Sequence, residues 1–296
     1  MIISCGEALV DMVPDAVPGG GPMNVAIAAA RLGAPAAFVG RVSTDRYGDQ
    51  IWDHLASNDV DLRLTERGPE PTARAIVEHT PKLSFRFEGD GTADTALESA
   101  DLSPVGPGPH IVHGGTLALF RGRTAELQAQ LVERHDGLVS LDPNIRPPMI
   151  KDRAQWDWFH NRWLTNTHVY RASDEDLEWI WPGRDHQHCA DELFGCGVKA
   201  MIVTKGAKGA EFFLPSGQVT VDGRSVEVAD TVGAGDTFVA ATLVGLLTRG
   251  IATPGGLDAL THEDWSEIGS LAVAASAITC GRPGANPPFA SELDLA

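Results

Sequence analysis

The chain lacks a basic run. Its 296 residues hold 23 Lys and Arg against 40 Asp and Glu, a formal net charge of −17. A polyanion or an anionic membrane surface is bound through a basic face, so nucleic-acid and membrane-surface partners are not expected. An anionic substrate would need a local basic pocket working against that field. Cysteine is scarce: Cys5, Cys189, Cys196 and Cys280 form neither a CxxC pair nor a disulfide framework, which suits a reducing compartment. Long apolar runs are missing too. The longest are about ten residues, too short to span a bilayer. The opening MIISCGEALV has no basic n-region and reads directly as a strand, so a cytoplasmic protein is expected. Two phosphate-binding signatures are also absent. There is no GxxxxGK[ST] loop, and Phe238 stands where a third glycine would complete GxGxxG.

What is present is a chain with 43% apolar residues, enough for a large core. Strand-like runs fall near Ile2–Val10, Ala36–Val42, His110–Gly114, Leu138–Asp142, Val169–Ala172 and Met201–Thr204. Helix-like segments lie between them, for example Met23–Leu32, with Pro22 at its start and Gly33 after its end. This alternation predicts one α/β domain over residues 1–296 with a mostly parallel sheet covered on both faces. Two segments break the rhythm. Residues 73–90 read as two strands meeting near Thr80-Pro81, and residues 210–223 as a hairpin turning at Ser216-Gly217. The first would suit a small lid standing off the main sheet. Trp156, Phe159 and Trp163 share one face of a helix over Ala154–Leu164 and read as packing residues.

Two glycine-rich stretches carry candidate chemistry. In DTVGAGDTF, residues 230–238, Gly233, Ala234 and Gly235 precede Asp236 and an apolar helix over Thr237–Leu247. Free N–H groups at such a turn, together with the helix dipole, make an anion site. Asp236 could equally cap the helix. In GEALVDMVPDAVPGGGPMNVAIAAARLG, residues 6–33, a strand ending in Asp11 leads through glycines 19–21 to Asn24 on a helix. Asp and Asn give the directional hydrogen bonds that polyol recognition needs. A plain strand–turn–helix would also account for it. DHQHC, residues 185–189, with His186, His188 and Cys189, lacks the paired ligands of a zinc site and reads as a solvated helix start.

Taken together, GGGPMNVAIAAARLG and DTVGAGDTFVAATL resemble the ribokinase-like (pfkB) carbohydrate kinases. So do VGRVSTDRYGDQI, SLDPNIRPPMI, RASDEDL, IVTKGAKGA and AASAITCGRPGANPP, which occur in the family's order along nearly the whole chain. DPNIRPPMI, FRFEGDGTAD and CGRPGANPP look most like bacterial fructokinases.

The resemblance implies a three-layer α/β/α sandwich with a small β lid from about 11–19 and 73–90, and ATP-dependent phosphorylation of a hexose, fructose first. Asp236 would be the catalytic base, with the N–H groups of Gly233, Ala234 and Gly235 as the anion hole. Asp11, Gly20, Gly21 and Asn24 would bind the sugar, Asn144 and Arg146 would lie near sugar or phosphates, and Thr204, Gly206 and Gly209 would meet the nucleotide. Lys205 would reach a phosphate or stay solvated. Mg²⁺ would accompany ATP, with Asp176 orienting its water. Asp230 and the backbone of Val232 match a site for a monovalent cation such as K⁺. A homodimer through lid strands is implied as well. Residues 12–19, MVPDAVPG, are shorter than the family's usual segment, which predicts a shortened lid. Other small polyols stay open as acceptors: ribose, a nucleoside, or 2-keto-3-deoxygluconate, whose acid group would want Arg74 or Arg86. A weakly active sugar-binding relative is the alternative of another class.

Overall fold

The computed structural model describes residues 1–13, 15–79 and 83–293. Thirteen strands are described: β1 (Ile2–Cys5), β2 (Leu9–Val13), β3 (Asp15–Gly19), β4 (Ala36–Ser43), β5 (Thr65–Gly68), β6 (Arg74–His79), β7 (Leu83–Glu88), β8 (Ile111–Gly115), β9 (Leu138–Asp142), β10 (Val169–Ser173), β11 (Ala200–Thr204), β12 (Ala210–Leu214) and β13 (Gly217–Val221). The α-helices are α1 (Gly21–Arg31), α2 (Arg46–Ala56), α3 (Gly122–Glu133), α4 (Arg153–Leu164), α5 (Asp174–Ile180), α6 (His186–Gly195), α7 (Ala234–Thr248), α8 (Pro254–Leu257) and α9 (His262–Cys280).

Nine strands form one sheet in the order β13-β12-β11-β10-β9-β8-β1-β4-β5. From β11 to β5 every neighbouring pair is parallel; β12 and β13 close one edge antiparallel. Parallel strands buried on both faces need near-continuous apolar sequence, and they have it. Ile2, Ile111, Leu138, Val169 and Ala200 pack in a cluster with Val25 and Ala28 of α1, Val239 and Leu243 of α7, and Ile268 of α9. Their neighbours Ile3, Val112, Val139, Tyr170 and Met201 pack on the opposite face with Ala129 of α3, Trp156 and Trp163 of α4, Leu177 of α5 and Leu193 of α6. Trp156, Phe159 and Trp163 are all buried, which bears out packing as their role.

A second sheet, in the order β3-β2-β6-β7, holds the two segments expected to form a lid. Here the sequence reading needs correction. Ile2–Val10 is not one strand. β1 ends at Cys5, and the chain turns through Gly6, whose added Cβ would fall 2.1 Å from Pro22 Cγ, before β2 enters the lid sheet. Nor does the short segment cost the lid its strands: β2 and β3 pair from Leu9↔Gly19 to Val13↔Asp15. Pro18, which cannot donate to a ladder, is tolerated because β3 is an edge. The junction expected near Thr80-Pro81 lies outside the described residues. The 210–223 hairpin is present, with Leu214 paired to Gly217, so its turn sits one residue earlier, at Pro215-Ser216.

The chain runs β1→β4→β5 to one side of β1 and β8→β9→β10→β11 to the other. The order therefore reverses between β1 and β8, and segments leaving the carboxyl ends there frame a crevice, the usual ligand site of such sheets.

Candidate active site

α7 begins one turn earlier than expected. Gly233 is its N-cap, in the left-handed region at φ 75°, and Ala234 and Gly235 are already helical. No side chain caps this end, and the first bond along the helix runs from Thr237 N to Gly233 O. The N–H groups of the first turn therefore have no helical acceptor. Ala234 N leans back to Thr231 O at 3.3 Å. The capping alternative for Asp236 falls away, since its Oδ2 accepts from Asn24 Nδ2 at 2.8 Å, 212 residues distant in sequence. This one bond joins the two glycine-rich stretches.

Around Asp236 the segments converge. A Cβ on Gly21 would lie 2.6 Å from Thr116 Oγ1 and 3.5 Å from both Asn144 Nδ2 and Asp236 Oδ1. Only a glycine leaves that space for a ligand. Asn144 Nδ2 donates to Thr116 Oγ1 at 3.3 Å. Both residues sit at positive φ, 39° for Asn144 and 54° for Thr116. Such non-glycine strain is characteristic of functional sites. Gly20, at φ 122°, passes so close to Glu7 that a Cβ would meet the Glu7 carbonyl oxygen at 2.6 Å.

Asp236 is 9% exposed, and burial raises its carboxyl above the ordinary range, against the Asn24 hydrogen bond and the Arg146 and Arg171 charges. Asp11, on β2, is likewise raised by burial and opposed by Arg146. Arg146 is exposed, and its Nη1 donates to Ile145 O at 3.0 Å. Its charge thus acts on both carboxylates, the local basic element that a net charge of −17 would otherwise deny the site.

The nucleotide candidates lie at the end of β11. Thr204 is its last residue, and Gly206 and Gly209 follow at φ 55° and 91°. Gly209 must be glycine on a second count, since a Cβ would fall 2.0 Å from Val221 O. Lys205 is paired rather than freely solvated: Nζ meets Glu211 Oε1 at 2.5 Å. Glu211 also meets His186 Nδ1 at 3.4 Å, and His186 Nε2 lies 3.1 Å from Asp174 Oδ1. His188 faces Glu192 at 3.7 Å, while Cys189 is buried. Asp185 caps α6, so this is a helix start; no cluster of three or more metal-ligating side chains occurs among the described residues.

Asp176 has both carboxylate oxygens engaged by the protein. Its Oδ2 accepts from Ser173 N and Oγ, and its Oδ1 from Ile145 N at 2.7 Å, so it caps α5 and braces the loop that carries Asn144. Asp230 is likewise engaged, through main-chain donors, and keeps its charge. Burial opposes its ionisation, yet the N–H groups of Val232, Gly284 and Thr231 hold it below the ordinary range.

Sequence reading overlooked Thr116, Asp142, Arg171 and Glu7. Asp142 is 3% exposed; burial above all, then the Asp176 and Asp236 charges, push it up to about 6 against Arg171. Glu7 is fully buried, accepts from Ala118 N at 2.9 Å through Oε2, and has a pKa pushed up to about 7, chiefly by burial. A lone Arg inside the otherwise apolar strand VYRAS was the available signal for Arg171. Nothing in the sequence marked Thr116.

The chain matches the family described as pfkB family carbohydrate kinase over residues 14–292. It is 35% identical over 266 residues to a fructokinase of Rhizobium leguminosarum bv. trifolii, covering 86% of this chain and 82% of that protein. Among solved structures it is similar to a fructokinase with bound ATP from Xylella fastidiosa, at TM-score 0.90 and 26% identity over 99% of this chain and 96% of the other. It is also similar to a fructokinase double mutant from Vibrio cholerae O395 in its fructose, ADP and potassium ion bound form. That match has TM-score 0.83 and 25% identity, over 96% of this chain and 93% of the other.

Proposed function

The chain belongs to the pfkB family of carbohydrate kinases, and on that premise we propose that it is an ATP-dependent fructokinase. The observation that carries this reading is the Asn24–Asp236 hydrogen bond, which sets a buried carboxylate between a polar crevice and an uncapped helix start. Fructose lies in the crevice bordered by Gly20, Gly21, Asn24, Thr116 and Asn144, with Asp11 and Arg146 orienting its hydroxyls. Asp236 takes the proton of the reacting hydroxyl as that oxygen bonds to the γ-phosphorus of ATP and the bond to the ADP oxygen breaks. The base acts by position rather than by high basicity. The N–H groups of Gly233, Ala234 and Gly235 hold the charge that builds on the transferring group. Thr204, Gly206 and Gly209 seat the nucleotide.

Mg²⁺ would accompany ATP and supply neutralisation of phosphate charge. A monovalent cation, of which the potassium in the Vibrio cholerae relative is an instance, would use the ionised Asp230 and the Val232 backbone. The four-stranded sheet forms the lid of a single α/β domain, and its exposed β3 edge, where Val17 is 45% exposed, supports a homodimer joined through lid strands.

Among other acceptors, an acid sugar is disfavoured. Arg74 and Arg86, the lid arginines that would hold its carboxylate, both pair with Glu88. The buried Asp236 argues against a binding protein without turnover. The test is ADP release with ATP and Mg²⁺ over a panel of fructose, ribose, a nucleoside and 2-keto-3-deoxygluconate. Fructose should exceed the others by at least about tenfold in kcat/KM. Preference for another acceptor would overturn the substrate. No turnover, with a sugar still raising Tm, would overturn the kinase.

A further inference from the structure

Arginine is out of place inside a parallel sheet. β10 reads VYRAS, flanked by β9 and β11, and Arg171 is 8% exposed. A guanidinium there loses solvation unless its donors are matched. Nη1 donates to Asp142 Oδ2 at 2.7 Å, and Nη2 donates to Thr204 Oγ1. The head lies against Gly235, where an added Cβ would fall 3.1 Å from each terminal nitrogen. Nε has no partner among the described residues.

These neighbours belong to three segments with different tasks. The β9–β10 ladder stops at Tyr170↔Leu141, so Arg171 and Asp142 are the next pair, and a side-chain fork continues where backbone pairing ends. The other oxygen of Asp142 accepts from Asn144 N at 3.0 Å and so holds the strained acceptor loop. Thr204 ends the nucleotide strand. Gly235 is the last residue of the turn that would bind the phosphoryl group.

We propose that Arg171 is a positioning residue for phosphoryl transfer, a single guanidinium that keeps acceptor loop, nucleotide strand and phosphoryl-binding turn in one fixed geometry. The inference rests on the kinase reading above. A planar fork suits this work because its donors leave at set angles, which a lysine cannot copy. Arg171 stays charged despite burial because Asp142, Asp176 and Asp236 surround it. His113, the other titratable group facing it, is buried and kept neutral, with a pKa near 3. Asp236 in turn faces two cations, Arg146 and Arg171, and one carboxylate, Asp142. Removing the Arg171 charge therefore makes Asp236 harder to ionise.

Two variants test this. Arg171→Lys keeps the charge and loses the fork; Arg171→Met loses both. With fructose, ATP and Mg²⁺, the lysine variant should lose about tenfold in kcat with an unmoved acid limb and KM values within about threefold. The methionine variant should lose about a hundredfold in kcat, and its acid limb should move to higher pH. Should it fail to fold, the lysine variant carries the test. Hydrogen exchange at the amides of Asn144 and Gly235 should quicken in both. A lysine variant with wild-type kcat, or one whose exchange is unchanged at Asn144 and Gly235, would overturn the proposal. If the wild type phosphorylates no sugar, the kinase reading and this proposal fall together, whereas an active wild type with unchanged exchange in the lysine variant overturns this proposal alone.

Discussion

Asp230 and Asp236 bracket the same turn and meet opposite surroundings. Asp230 accepts from main-chain N–H groups, Val232 at 3.1 Å and Gly284 at 2.9 Å, and is held below the ordinary carboxylate range. Asp236 is buried, accepts from the Asn24 side chain, and is raised above that range by burial. One carboxylate is a strut tying the turn to the segment at Gly284. The other has an oxygen 3.5 Å from where a Cβ on Gly21 would stand, and a reason to accept a proton. Residue type and local sequence are nearly shared, so the difference lies in which groups each carboxylate faces.

The largest effect that separates them is on turnover. Asp236→Asn preserves the bond to Asn24, because the amide oxygen still accepts, and removes the base. Steady-state kinetics should show kcat lower by about 10²–10⁴, with ATP affinity by calorimetry within a few-fold. Near-normal turnover would erase the contrast with Asp230. Next is Gly233→Ala, which strikes the turn both carboxylates flank. Its φ of 75° and the approach of Ala285, 2.6 Å from an added Cβ, should cost about 1–3 kcal/mol in denaturant unfolding and lower kcat together with it.

Asp230→Asn is smaller. It keeps one acceptor oxygen and loses the charge, so unfolding should show a loss of about 1 kcal/mol, and kcat should fall less than in Asp236→Asn. Activation by K⁺ over Na⁺, if Asp230 holds the cation, should weaken in this variant.

The smallest contrast is in pH, and its signs are opposite. The folded pKa of Asp230 is depressed, so its stabilisation is present above the unfolded value of 3.8 and is lost as pH falls through the folded value. The folded pKa of Asp236 is raised, so the folded state holds its proton more tightly than the unfolded chain, and stability falls as pH rises from 3.8 through the folded value. Melting curves of the two Asn variants against wild type should therefore diverge in opposite directions across acidic pH. The acid limb of kcat should sit above the ordinary Asp range and vanish with Asp236→Asn.

Some of this was legible in the sequence. β9 falls where expected, Leu138–Asp142, because a short apolar run between polar segments has one way to be buried. β1 and β2 were not separable, since Ile2–Val10 is apolar enough for one strand and periodicity does not say which sheet a residue joins. Asp11, Asn24, Asn144 and Asp236 were readable as candidates because their motifs are local. Thr116 was not, and Arg171 stood out only as a lone charge in an apolar strand. The meaning of Thr116 comes from Gly21 and Asn144, and that of Arg171 from Asp142, Thr204 and Gly235, all remote in sequence.

By itself, then, the sequence determined the parallel sheet and the two glycine-rich turns. Burial of apolar strands on both faces and the need of a close-approach turn for small residues are local constraints that any reader of the chain can apply. Tertiary structure alone decided that Asp236 is no helix cap, that Asp176 braces a loop, that Lys205 is spent on Glu211, and that Arg171 sits under Gly235. Each of these depends on contacts made in the fold, and a hydrogen bond or charge contact a few ångströms long cannot be read from positions as much as 212 residues apart.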